Sequence, residues 1–239
     1  MKTEDAIYRD GPLTMSGFVA YDEHRQGHRP GVLVMHEAWG LGEHVISRCR
    51  MLADLGYVAF AADMYGDRHQ VTKRDEAMAL IADLRANPQK LRTRARAALA
   101  ALAALPQVDS KRLGGIGYCF GGTAILELAR DGGELAGVVS FHGGLETTRP
   151  AVAGDVKARI LVCTGADDPM VTQEHVKAFE DEMRNANADV RVISYAGAVH
   201  GFTNPKNDGS IAPGILYNQA ADSQSWAAMQ TFFAEVFGK

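Results

Sequence analysis

Short apolar runs alternate along this chain with longer segments of helical periodicity, an order that admits few folds. Val32-Leu33-Val34-Met35 is apolar without interruption, as suits a central parallel strand covered on both faces. Strand signals fall at 17–21, 31–35, 57–62, 113–118, 137–141, 159–164 and 190–195. Between and after them the pattern predicts helices over 43–55 (ended by Gly56), 72–86, 89–105, 121–130, 173–187 and 220–237. Asn87-Pro88 splits the second helix from the third, and a polar loop rich in Asn, Pro and Gly covers 203–214. In the third helix Leu91, Ala95, Ala98, Leu99 and Leu102 share one face, with Arg92 and Arg96 on the other. Those two arginines read as a solvated face in preference to a phosphate site. Strands alternating with helices imply βαβ units and a mostly parallel sheet, an α/β fold class. No repeat, linker or break in composition interrupts the pattern, so residues 1–239 read as one domain.

Charge narrows the partners. Lys and Arg number 25 against 29 Asp and Glu, a net charge of −4, whereas binders of nucleic acid or anionic membranes usually carry a basic excess. Met1-Lys2-Thr3-Glu4-Asp5 has mixed charges and lacks the apolar core of a signal peptide. No stretch nears the ~20 apolar residues of a membrane span. Cys49, Cys119 and Cys163 are too few and too scattered for a disulfide framework, so a reducing, cytoplasmic setting is expected. Composition does not say whether one of them is reactive.

The most informative stretch is Gly115-Ile116-Gly117-Tyr118-Cys119-Phe120-Gly121-Gly122. It fits G-x-C-x-G, the strand-to-helix nucleophile elbow with cysteine in place of serine. So sharp a turn strains the central residue and demands small neighbours two positions away, which Gly117 and Gly121 supply. Gly122 lets the helix pack closely on the sheet. Such a turn aims Cys119 outward at the carboxyl ends of the strands, where α/β ligands bind. The partial positive charge of the helix N-terminus favours a thiolate there. The bland alternative is a buried cysteine in a Gly-rich turn. A dinucleotide loop fails, because G-x-G-x-x-G would need glycine where Phe120 stands.

A nucleophile of this kind takes its acid and then its histidine from later in the chain. Gly165-Ala166-Asp167-Asp168-Pro169 follows a strand in the right place for the acid, and by composition either aspartate serves. His200, in Ala198-Val199-His200-Gly201-Phe202, follows the next strand and is the candidate base. His24, His28, His44, His69 and His175 lie among polar residues and read as surface. His142 ends a strand and is open between a place near the site and the core edge. His36-Glu37 is not H-E-x-x-H, since position 40 is Gly. Cys49 and Cys163 read as small buried apolar residues. No zinc-ligand spacing exists, and no metal is expected.

Together the elbow, 165–171, 198–202, Met35-His36-Glu37-Ala38-Trp39-Gly40 and Ala62-Asp63-Met64-Tyr65-Gly66 resemble the dienelactone hydrolase family of α/β-hydrolases. The resemblance runs from about residue 17 to the last helix. It implies a triad of Cys119, Asp168 and His200, choosing Asp168 over Asp167. It also implies a glutamate, here Glu37, beside the thiol, which helps deprotonate it when substrate arrives. A thiol given its base on demand resists oxidation while the site is empty. The oxyanion hole would be the backbone N–H groups of Ala38 and Phe120, and Trp39 and Tyr65 would touch substrate. No organic cofactor is implied. The family's two arginines for a substrate carboxylate have no counterpart in register. Asp67 and Asn204 stand there, with Arg68 and Lys206 nearby as stand-ins. The implied activity is cysteine-dependent hydrolysis of a lactone or small carboxylic ester through a thioacyl-enzyme. Two other classes stay open: a non-catalytic small-molecule binder on a hydrolase fold, and a redox-sensing thiol protein.

Overall fold

The computed structural model describes residues 1–238. Its strands are β1 (Lys2–Asp10), β2 (Leu13–Tyr21), β3 (Arg29–Met35), β4 (Val58–Ala62), β5 (Val108–Tyr118), β6 (Gly137–Phe141), β7 (Arg159–Gly165) and β8 (Val190–Tyr195). The helices are α1 (Glu43–Asp54), α2 (Arg74–Ala86), α3 (Pro88–Ala103), α4 (Phe120–Arg130), α5 (Gln173–Asn185) and α6 (Gln219–Phe237). One sheet runs in the order β1-β2-β4-β3-β5-β6-β7-β8. From β4 through β8 in that order every pairing is parallel, and β1 and β2 add an antiparallel edge.

The period of two in each strand divides the core into layers. Leu33 and Met35 of β3 pack with residues of α3, α4 and α5 such as Leu99, Ile125 and Phe179. Val32 and Val34 face the other way, toward Val45 and Leu52 of α1 and Phe233 of α6. A strand apolar on both faces is thus buried on both, as its composition predicts. Cys49 and Cys163 are both fully buried. Burial pushes both thiols up, Cys163 to about 12. No helix among the described residues is long and apolar enough to cross a membrane.

Three features depart from the sequence expectations. The strand β1 has no apolar face to announce it, since of its nine residues only Tyr8 is buried. Its ladder to β2, from Lys2 opposite Tyr21 to Asp10 opposite Leu13, holds it in place. The strand β5 starts at Val108, because Arg29 and Pro30 of β3 pair with Val108 and Asp109 ahead of a register shift. The face carrying Arg92 is not solvated. Its side chain is 4% exposed and ion-paired with Glu127 at 2.7 Å, whereas Arg96 is 46% exposed. Helix α4 supplies a buried carboxylate there, which a reading of α3 alone cannot foresee.

Candidate active site

The turn from β5 into α4 passes through Cys119 at φ 52° and ψ −116°, a strained conformation for a residue with a side chain. The two flanking glycines make it possible. A Cβ on Gly117 would run into the Gly121 carbonyl, and one on Gly121 into the Met35 carbonyl.

Loops at the carboxyl ends of β7 and β8 bring two more groups to the sulfur. His200 places Nε2 3.1 Å from Cys119 Sγ and Nδ1 2.9 Å from Asp168 Oδ2. The other oxygen, Asp168 Oδ1, accepts from the N–H groups of Met170 (2.8 Å) and Val171 (3.2 Å), so the carboxylate cannot turn away. Of the neighbouring aspartates, 167 is exposed and 168 is buried against the ring. Burial opposes charge on His200, but the adjacent Cys119 sulfur and Asp168 outweigh it and push the imidazole up to about 10.

Glu37 lies in the loop after β3, but its partners are not the thiol. Its Oε2 accepts from Asn204 Nδ2 at 2.9 Å and makes an ion-pair contact with His44 Nδ1 at 3.1 Å. Burial works against its charge; His44 and the hydrogen bonds outweigh that and hold the carboxyl below the usual range. His44, read as surface, has a side chain only 6% exposed. It stands in the first turn of α1, with its ring 4.9 Å from that of Tyr118. His142 stands at the site: its Nδ1 accepts from the Cys119 N–H at 3.1 Å.

The Ala38 loop is braced from behind. His36 donates from Nδ1 to the Glu37 carbonyl (2.6 Å) and accepts the Met64 N–H at Nε2 (3.1 Å). The Tyr65 hydroxyl donates to the Ala38 carbonyl at 2.8 Å. Tyr65 is thus a brace for this loop and not part of the cleft wall. Phe120 opens α4, where helix geometry leaves N–H groups without intrahelical acceptors. Both Ala38 and Phe120 border the cleft beside Cys119.

That cleft has a volume of about 180 Å³, and Cys119 and His200 both line it. Its walls are Trp39, Met78 and Ile81 of α2, Val171, Ile211 and Ile215, and the charged groups lining it are Arg74, Arg85 and Glu146. Arg85 faces Glu146 at 3.9 Å. Neither Arg68 nor Lys206 reaches the cleft. The Arg68 guanidinium pairs with Asp5, and Lys206 is exposed past Pro205. Asn204, at the place of a family arginine, spends its amide on Glu37. The contribution of α2 was not foreseen, although Arg74, Met78, Ile81 and Arg85 share a helical face whose mixed polarity signals a mouth. Among the described residues no His, Cys, Asp and Glu group is arranged to hold a metal ion.

The model of the dienelactone hydrolase family matches residues 15–237. The chain belongs to the dienelactone hydrolase family. Among solved structures it is similar to one titled m3DLH, with 40% identity, 98% of each chain covered and a TM-score of 0.94. It is equally similar to P91, a dienelactone hydrolase-like promiscuous phosphotriesterase from metagenomic libraries, at 43% identity, 98% of each chain and TM-score 0.93. A Caenorhabditis elegans relative, the uncharacterized protein K02A2.1, is 39% identical over 62% of this chain and 95% of its own length. As a dienelactone hydrolase family member on the α/β-hydrolase fold, the chain is a carboxylic ester hydrolase.

Proposed function

We propose that this hydrolase opens small lactones or cleaves small carboxylic esters with Cys119 as nucleophile. The observation that carries the reading is the unbroken contact from Asp168 through His200 to the sulfur of Cys119, which lines a largely apolar cleft. Sγ attacks the carbonyl carbon, a C–S bond forms, and the π electrons move to oxygen. The N–H groups of Ala38 and Phe120 receive that oxyanion. Collapse breaks the C–O bond, and the leaving alkoxide takes the proton from His200 Nε2. His200 then takes a proton from water as it attacks the thioester, releasing acid and regenerating the sulfur. Asp168 orients the ring and offsets its charge.

The favoured substrate is neutral. The cleft offers apolar walls, and the positions from which the family holds a carboxylate carry Asp67 and Asn204. A charge-assisted pair contributes about 1.5–3 kcal/mol, so its loss weakens anionic substrates by about tenfold or more. Comparison of kcat/KM for a neutral aryl ester, a neutral lactone and a carboxylated dienelactone is expected to favour the neutral pair by at least that factor. Preference for the anion would overturn this and point to Arg74 and Arg85. A neutral aryl phosphotriester is a second substrate class, supported by the P91 likeness and by the same apolar walls, and belongs in the panel.

The raised His200 sets a pH dependence. Below about 10 the ring keeps the proton that the alkoxide needs, so kcat/KM is expected to fall as pH rises through about 10. Asp168→Asn removes one of the groups that raise the ring, so this alkaline limb should move to lower pH. An alkaline limb unmoved in the variant would show that Asp168 does not set the charge on His200.

A further inference from the structure

His142 is fully buried, lies outside the cleft and has no part in the chemistry above. It follows β6 at φ 42°, a left-handed conformation that costs a non-glycine residue energy. Two strained residues, Cys119 and His142, are therefore joined by one hydrogen bond, from the Cys119 N–H to His142 Nδ1 at 3.1 Å. The same N–H also donates to the Phe141 carbonyl at 3.0 Å, so the Cys119 N–H is shared between the backbone and the ring. On its far side the ring meets Thr203 Oγ1 at 2.8 Å through Nε2. Thr203 sits three residues after His200, and its carbonyl accepts from Arg48 Nη2 at 2.7 Å. We propose that His142 is a positioning residue, a strap that ties the backbone of Cys119 to the segment carrying His200, with Thr203 as its second anchor.

This rests on the reading of Cys119 and His200 as the reacting pair. A backbone N–H only donates, so Nδ1 presents its lone pair and the ring proton belongs on Nε2, donated to Thr203 Oγ1. The ring is packed edge-on against His200 (centroids 5.3 Å apart) and Phe202 (5.1 Å), with Tyr118 at 6.2 Å. Burial holds His142 well below the usual histidine range, and positive charge on His200 and Arg48 acts in the same direction. A proton on Nδ1 would oppose the Cys119 N–H and set a second cation beside the His200 imidazolium. The strap therefore keeps one tautomer and one geometry while His200 changes its charge during turnover. Reacting atoms at 3.1 Å tolerate little misplacement, since an error of about 1 Å can cost about 100-fold.

Three variants cut the strap at different points. His142→Asn keeps an acceptor near Nδ1 but does not reach Thr203. His142→Gln keeps a donor near Nε2 but loses the side-chain acceptor for the Cys119 N–H, leaving that N–H to the Phe141 carbonyl, and Thr203→Val removes only the hydroxyl. Each is expected to lower kcat for a neutral aryl ester about 10- to 100-fold with KM within about threefold. His142→Asn/Thr203→Val together should be no worse than the poorer single variant, because both remove the same link. Alkylation of Cys119 by iodoacetamide near pH 6 should slow in all three as the sulfur loses its registry with His200. Nitrogen-15 NMR of the wild-type imidazoles should show His142 as the neutral Nε2–H tautomer from about pH 5 to 9. Unchanged kcat in the three variants, or a ring that titrates in that window, would overturn the strap. So would a loss of kcat matched only by a lower melting temperature with the alkylation profile unmoved. The tautomer does not depend on the identity of the nucleophile. Full activity in Cys119→Ala would therefore sink the proposed mechanism while the NMR result still judges the ring.

Discussion

Cys119→Ala is expected to lower kcat for a neutral aryl ester by about 10⁴- to 10⁶-fold, leaving only the slow turnover that an oxyanion hole and binding provide by themselves. The substitution removes one sulfur atom from a partly exposed position and alters no backbone contact. Melting should therefore shift little, and loss of activity reports chemistry. In the wild type, quenching a slow ester during turnover should give a protein heavier by one acyl group, located on Cys119 by peptide mass spectrometry. Activity within about tenfold of wild type would remove the cysteine from the mechanism. The same pair of proteins separates the other classes. A binder captures an activated ester once without turnover, whereas a redox sensor loses and regains function with oxidation of Cys119 and hydrolyses nothing.

Glu127→Ala should produce the largest loss of stability, about 3–5 kcal/mol, which in a chain of this size lowers the melting temperature by roughly 6–20 °C. Glu127 of α4 is 4% exposed, as is Arg92 of α3, and Arg130 is 0% exposed. Its carboxylate meets Arg92 Nη2 at 2.7 Å and Arg130 Nη1 at 3.0 Å. Alanine leaves two guanidiniums in the interior, and arginine does not shed its proton to escape. Arg130 keeps Glu182 at 2.8 Å and the Leu145 carbonyl at 2.7 Å, so its helix stays anchored. Arg92 keeps the Arg149 carbonyl at 2.7 Å and only a longer contact, 3.7 Å, to Asp131, and suffers more. Urea unfolding of wild type, Glu127→Ala and Glu127→Gln should rank them in the order wild type, Gln, Ala. A cost below about 1 kcal/mol for alanine would mean that water replaces the carboxylate. Replacing Arg92 and Glu127 together with apolar residues of similar volume is expected to cost less than Glu127→Ala alone, because Arg130 keeps Glu182 and Asp131 keeps Arg96.

Much of this architecture is legible along the chain. The apolar runs at 31–35 and 113–118 identify central strands, and G-x-C-x-G identifies the turn, because a strained residue between a strand and a helix tolerates only glycine at 117 and 121. Those rules operate within about five residues. The errors lie where neighbours in space are distant in sequence. Polarity alone places Arg92 and His44 at the surface, yet the side chain of each is covered where a carboxylate from another element, Glu127 or Glu37, meets it. The strand β1 carries no pattern of its own and exists as a strand through its ladder to β2.

By itself the sequence determined the order of strands and helices, the elbow at Cys119 and three candidate groups in the chain order nucleophile, acid, base. Each is a consequence of local sterics and of the periods 2 and 3.6 that backbones impose. The tertiary structure alone decided what these groups face. It set Asp168 against His200 and left Asp167 exposed. It gave Glu37 to His44 and to Asn204, 167 residues away, set the His142 ring against the Cys119 N–H and made α2 a wall of the cleft. Parallel strands bring their carboxyl ends to one edge of the sheet whatever the length of chain between them, so contacts made there follow strand order and not sequence distance.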